Sequence, residues 1–127
     1  MKPKIVYIAH PIFGDQDNNI KKIIAIVRNI NLNEPGVIPF APYVPDVMAL
    51  NDADPDERER GFFNSGHVLR AGMVNEMWLF GPTISPGMWA EIKLAEQLNI
   101  PVHPKSEGTA LELLSYKVQN SFYKFYT

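Results

Sequence analysis

The chain has 127 residues, 46% hydrophobic and 20% charged, a balance that suits one buried core and argues against long disorder, a fibrous repeat or a disulfide scaffold. Twelve basic against fourteen acidic side chains give a formal charge of -2, which does not provide the strongly cationic face that duplex nucleic acid or anionic lipid requires. Cysteine is absent, so disulfides, cysteine nucleophiles and thiolate-bound metal sites are excluded, and a reducing compartment fits.

Ile5 to Ala9 is a short apolar run ended by His10-Pro11 and Gly14, the pattern of a buried strand and its loop. Five apolar residues are too few for a signal peptide or a membrane span, so a cytoplasmic location is expected. Asp15 or Asp17 can then cap a helix whose stripe is Ile20, Ile23, Ile24, Val27 and Ile30 and which ends near Asn31. Val37 to Phe40 predicts a second strand. The prolines at 39, 42 and 45 confine it and predict an extended loop after it. The charged stretch Asn51 to Arg60 reads as a solvated loop leading into a helix through Phe62, Phe63, Val68 and Leu69 to Ala71.

Met77 to Phe80 is an apolar block before Gly81-Pro82, as in a strand covered on both faces. Ser85-Pro86 is an N-cap followed by proline at the first helical position, and Trp89, Ile92, Ala95 and Leu98 continue at helical spacing. Ile100 to Val102 predicts the last strand. Leu111, Leu114, Val118, Phe122 and Phe125 predict a closing helix, and the aromatic tail, with Tyr123 and Tyr126, is either core closure or a subunit contact.

Strands alternating with helices over short connections predict one α/β domain over residues 1–127: a flavodoxin-like or Rossmann-like parallel sheet of four or five strands with helices on both faces. Such sheets take ligands at the carboxyl ends of their strands, here the loops after Ala9, Phe40 and Phe80. The first loop has only Gly14 where a dinucleotide site needs three spaced glycines, and no GxxxxGK[ST] occurs. A receiver domain needs acids where His10 and Gly81 stand. His67 and His103 show no metal-ligand spacing, so neither a metal nor a cofactor is expected.

Three motifs stand in order: Tyr7-Ile8-Ala9-His10-Pro11, Asn75-Glu76-Met77-Trp78-Leu79-Phe80-Gly81, and Ser85-Pro86-Gly87-Met88-Trp89-Ala90-Glu91-Ile92-Lys93-Leu94-Ala95. From about Ile5 to Val102 the chain resembles the nucleoside 2-deoxyribosyltransferase-like superfamily, in particular its branch of small bacterial and phage proteins of unassigned function. The resemblance implies that Glu91 attacks the anomeric carbon of a nucleoside or nucleotide and that Tyr7 holds its carboxylate. A carboxylate suits an oxocarbenium-like transition state and can form a covalent sugar intermediate, which water or a second base then resolves. It also implies a homo-oligomer, whose neighbouring subunits complete each other's sites.

His10, Pro11, Gly14, Asp15, Ser85, Gly87 and Met88 are the expected substrate contacts, with backbone N–H groups at Gly87 and Met88 available to a 5′-phosphate. Arg58 and Arg60 either reach a phosphate or are surface arginines paired with nearby acids. Two positions depart from the family pattern. Ser85 stands where transferases carry an aspartate for the base, and Asn75 stands where an aspartate leads into the third strand. Proton delivery to the base then falls to Asp15, Asp46 or a member of the charged loop. The same two departures support an alternative, a non-catalytic binder of a nucleotide-like ligand on this scaffold.

Overall fold

The computed structural model describes residues 2–126, with side chains over 2–120. Its elements run β1 (Lys4–Ala9), α1 (Gln16–Asn33), β2 (Val37–Phe40), α2 (Tyr43–Ala49), α3 (Pro55–Arg70), β3 (Glu76–Leu79), α4 (Pro86–Gln97), β4 (Val102–Pro104) and α5 (Glu107–Tyr126). The four strands form one sheet in the order β2-β1-β3-β4. Every pairing is parallel, with Tyr7 level with Phe40 on one side and Met77 on the other. This is the α/β doubly wound fold that the alternation predicts, with four strands.

β1 is central, which is why Val6, Tyr7, Ile8 and Ala9 are all buried: each face of the strand is covered and both edges are paired. Side chains alternate between the faces. Tyr7, Ala9, Met77 and Leu79 pack with Leu69 of α3 and Met88, Ile92 and Ala95 of α4. Val6, Ile8 and Trp78 pack with Ile30 of α1 on the other face. The direction of winding reverses at β1, whose neighbours are β2 and β3. At such a switch point this architecture opens a crevice beyond the carboxyl ends of the strands.

Several boundaries differ from the expected ones. The stretch after β2 is helix α2 rather than an extended loop. Pro42 precedes its first residue and Pro45 lies in its first turn, where backbone N–H groups have no helical acceptor to lose. The acidic stretch is partly the opening of α3: Asp54 caps it, accepting from the N–H groups of Asp56 at 2.9 Å and Glu57 at 3.4 Å. β3 starts one residue earlier than expected. β4 starts two residues later, because the N–H of Ile100 closes the end of α4 on the Ala95 carbonyl.

α1 runs to Asn33, and its Ile24 is exposed rather than part of the core stripe. Asp15 occupies the N-cap position, yet its carboxylate accepts from the Asn18 side chain and from no backbone N–H. On α5 the buried leucine is Leu113, whereas Leu111, Leu114 and Val118 of the expected core stripe are exposed. Phe122, Tyr123, Phe125 and Tyr126 lie outside the residues whose side chains are described. No helix among the described residues is long and apolar enough to cross a membrane.

Candidate active site

A cleft of about 170 Å³ opens at the crevice. Its floor and one wall come from the loop after β1 and the start of α4: His10, Ile12, Phe13, Ser85, Gly87, Met88 and Glu91 all line it. The opposite wall comes from α2 and α3 and the link between them, including Tyr43, Asp46, Asp52, Glu57, Arg58, Phe62 and Ser65.

Glu91 sits in the second turn of α4, its carboxylate turned toward the sheet, where the Tyr7 hydroxyl donates to Oε2. Among the described residues it has no ion-pair partner, Lys93 included. Tyr7 is fully buried beneath it and does not itself line the cleft. Burial raises the Glu91 carboxyl from 4.5 to about 7, and the Tyr7 hydrogen bond acts the other way. Near neutral pH the group therefore exists in both ionisation states. The Tyr7 hydroxyl is held well above its ordinary value, first by burial and then by the neighbouring carboxylate. Tyr43 packs against it at 5.8 Å between ring centroids and donates to the Ile8 carbonyl at 2.6 Å. One phenol thus holds the carboxylate from below, and the second packs against the first.

His10, Ser85, Gly87 and Met88 line the cleft as expected, whereas Pro11, Gly14 and Asp15 do not. Pro11 packs instead on Gly81, whose φ of 98° and close approach leave no room for a side chain: a Cβ there would lie 2.6 Å from Pro11 Cδ. Gly14 makes the turn into α1 with φ of 94°, and Asp15 faces Asn18. Ser85 Oγ accepts the Met88 N–H at 3.3 Å, so the hydroxyl is engaged as an N-cap and the Met88 N–H is not free for an anion. Gly87 admits the Phe62 ring, which a Cβ would meet at 3.4 Å.

Asn75 lies at the opposite end of the sheet, where its Oδ1 accepts the Ile5 N–H at 2.7 Å and its own N–H donates to the Ile5 carbonyl at 2.8 Å. An amide oxygen serves there as well as a carboxylate, so this departure from the family pattern does not touch the cleft.

The cleft residues absent from the sequence's candidates include Ile12 and Phe13 of the β1 loop and a set from α2 and α3. Tyr43 and Ser65 were not singled out, nor was Asn64, whose Nδ2 donates to Asp46 Oδ2 at 3.0 Å. The helical spacing of Tyr43, Val47 and Leu50 was the available signal, obscured by two prolines. Arg58 stacks over Phe13 at 4.8 Å and Phe62 at 5.7 Å from the ring centroids, bridging the two walls. Of the candidates for proton delivery, Asp46, Asp52 and Glu57 line the cleft. Among the described residues no cluster of His, Asp or Glu has the arrangement of a metal site.

The family model for a domain of unknown function, DUF7768, matches residues 4–105, and the chain belongs to that family. No curated protein and no solved structure matches it.

Proposed function

We propose that this DUF7768 protein breaks the bond between the deoxyribose and the base of a nucleoside or nucleotide, with Glu91 as the nucleophile. The observation that carries the reading is the Glu91 carboxylate, facing a cleft at the β1/β3 crevice and bonded from behind by the Tyr7 phenol. A glutamate oxygen forms the bond to the anomeric carbon as the carbon–nitrogen bond breaks, and its electron pair leaves with the base, which takes up a proton. Water or a second base then displaces the glutamate, restoring the carboxylate. Positive charge grows on the sugar in the transition state, so an ionised group that burial disfavours at rest becomes better stabilised as the bond breaks.

Asp46 is the group we assign to the departing base. It lines the wall facing Glu91's helix, and Asn64 fixes one of its oxygens while the other is left for a ligand. Phe13 and Phe62 supply flat apolar surface for a base. The homo-oligomer belongs to the same proposal, and its test is the molar mass in solution.

Deoxynucleosides and their 5′-monophosphates incubated with the protein should release free base, followed by chromatography, and Glu91→Ala should abolish the release. Tight binding without turnover would instead support a non-catalytic binder. The observation favouring that second reading is Ser85, whose hydroxyl caps α4 where transferases carry an acid.

A further inference from the structure

His10 is the most enclosed polar side chain of the cleft, only 5% exposed, and the assignment above leaves it without a task. Its Nδ1 lies 2.7 Å from the carbonyl oxygen of Pro11. A carbonyl only accepts, so Nδ1 carries the proton and donates, and the neutral ring has its lone pair on Nε2. Burial lowers the proton affinity of the ring, the Pro11 carbonyl opposes this, and Lys22 adds to it, all of which leaves the neutral form in place at pH 7. Among the described residues Nε2 has no hydrogen-bond partner, and because no buried side-chain nitrogen or oxygen there is left without one, Nε2 keeps some accessible surface. It lies at the join of the β1 and β3 loops, 3.6 Å from where a side chain on Gly81 would begin. A lone pair that keeps access to the cleft and carries no donor from the protein is open to a donor on a ligand.

We infer that His10 is a fixed hydrogen-bond acceptor in the cleft, its Nε2 receiving the proton of a hydroxyl on the ligand's sugar. The polarity is set by the loop: with Nδ1–H held by Pro11, the ring cannot turn over to present a donor without breaking that bond. Carboxylates and dianionic phosphates, which have no proton to give, are disfavoured against Nε2, whereas an alcohol fits. The naming of a sugar rests on the proposed glycosidic reading, but the acceptor itself rests on the geometry of the β1 loop.

The test is imidazole nitrogen NMR on the full-length protein, with the His10 signals assigned by their loss in His10→Gln. The free protein should show a protonated Nδ1 and an unprotonated Nε2, and the Nε2 signal should move when 2′-deoxyadenosine or 2′-deoxycytidine binds. Removing the 3′- or the 5′-hydroxyl from the bound nucleoside should weaken binding roughly three- to tenfold for whichever hydroxyl His10 meets. His10→Asn, which lacks an acceptor at that position, should lose the same factor and become indifferent to that hydroxyl, whereas His10→Gln, with an amide oxygen in reach, should recover most of it.

A protonated Nε2 in the free protein, or a nucleoside that binds without moving it, overturns the inference and leaves the glycosidic reading standing. If no nucleoside binds yet 2-deoxyribose 5-phosphate moves Nε2, the inference stands and the glycosidic reading falls. If none of these probes moves Nε2, the inference is refuted.

Discussion

Replacing Glu91 with glutamine should make the protein more stable, and by an amount that grows with pH. The carboxyl is raised from 4.5 to about 7 because burial penalises its charged form. Between those values the folded protein keeps a proton on Glu91 that the unfolded chain has released. Stability from this group is therefore fully present below about pH 4.5 and is lost as pH rises through about 7. At about 1.4 kcal/mol per pH unit, the loss is on the order of 3 kcal/mol. Glutamine has no proton to lose, and its amide oxygen can still accept from the Tyr7 hydroxyl. The melting temperatures of the two proteins should coincide near pH 4.5 and separate to roughly 10 °C by pH 8, glutamine higher, as expected for a domain of this size.

The assay is a series of thermal melts at constant ionic strength from pH 4.5 to 8, read as the difference between the variant and the parent. Contributions from the other titrating groups largely cancel in that difference. Parallel melting curves, or a parent that is the more stable at pH 8, would refute the claim that the fold holds Glu91 in a costly environment. A gain in stability accompanied by loss of base release would mark a residue kept for chemistry rather than for folding.

Three further outcomes follow from the same geometry. Asp46→Asn should slow base release by roughly 10²- to 10⁴-fold with an unchanged melting temperature, and wild-type turnover in that variant would remove Asp46 from the mechanism. Gly81→Ala should cost about 1–3 kcal/mol in a urea titration, since it places a Cβ against Pro11 at a positive φ; an unchanged midpoint would show that the two loops are not in contact. Tyr43→Phe removes the donor to the Ile8 carbonyl and should cost about 1–3 kcal/mol by the same measurement, with a midpoint equal to the parent's counting against that bond.

What the sequence made legible was whatever rests on local chemistry. The β1 run, the Ser85-Pro86 start of α4 and the order of alternating elements were readable because apolar blocks, caps and prolines act on their immediate neighbours. The partnership of Tyr7 with Glu91 was readable only through the family resemblance, since 84 positions separate the two and no periodicity spans that distance. The α2 wall was lost because Pro42 and Pro45 read as breakers, although in a first turn they remove no hydrogen bond. Asp15 had the right residue type for a capping bond and the wrong neighbour, since Asn18 takes its carboxylate. Which loop residues face the cleft depends on how the β1 loop folds: Pro11 is turned onto Gly81 and Asp15 onto Asn18, whereas His10 is left facing the cleft. The exposed leucines of α5 show the limit of periodicity: a stripe predicts an amphipathic helix but not which of its sides meets the core.

The position of Tyr7 explains why the site is built on the middle of the sheet. A group meant to hold a carboxylate in a dry setting must not give way when the carboxylate loses its proton, and β1 is the strand least able to move, paired on both edges and packed on both faces. The phenol cannot follow Glu91 toward solvent, so Glu91 ionises against a fixed donor or not at all. The far wall of the cleft, by contrast, is made of α2 and the solvent-facing side of α3, where Asp46 is half-buried and Arg58 exposed. Under the proposed function, the buried half sets where the nucleophile stands, and the outer half sets what can be brought to it. Changes on the exposed faces of α2 and α3 should therefore alter which ligand is accepted without displacing the Tyr7–Glu91 pair, whereas a change beneath Glu91, at Tyr7 or at the Tyr43 ring packed on it, should act on every ligand alike.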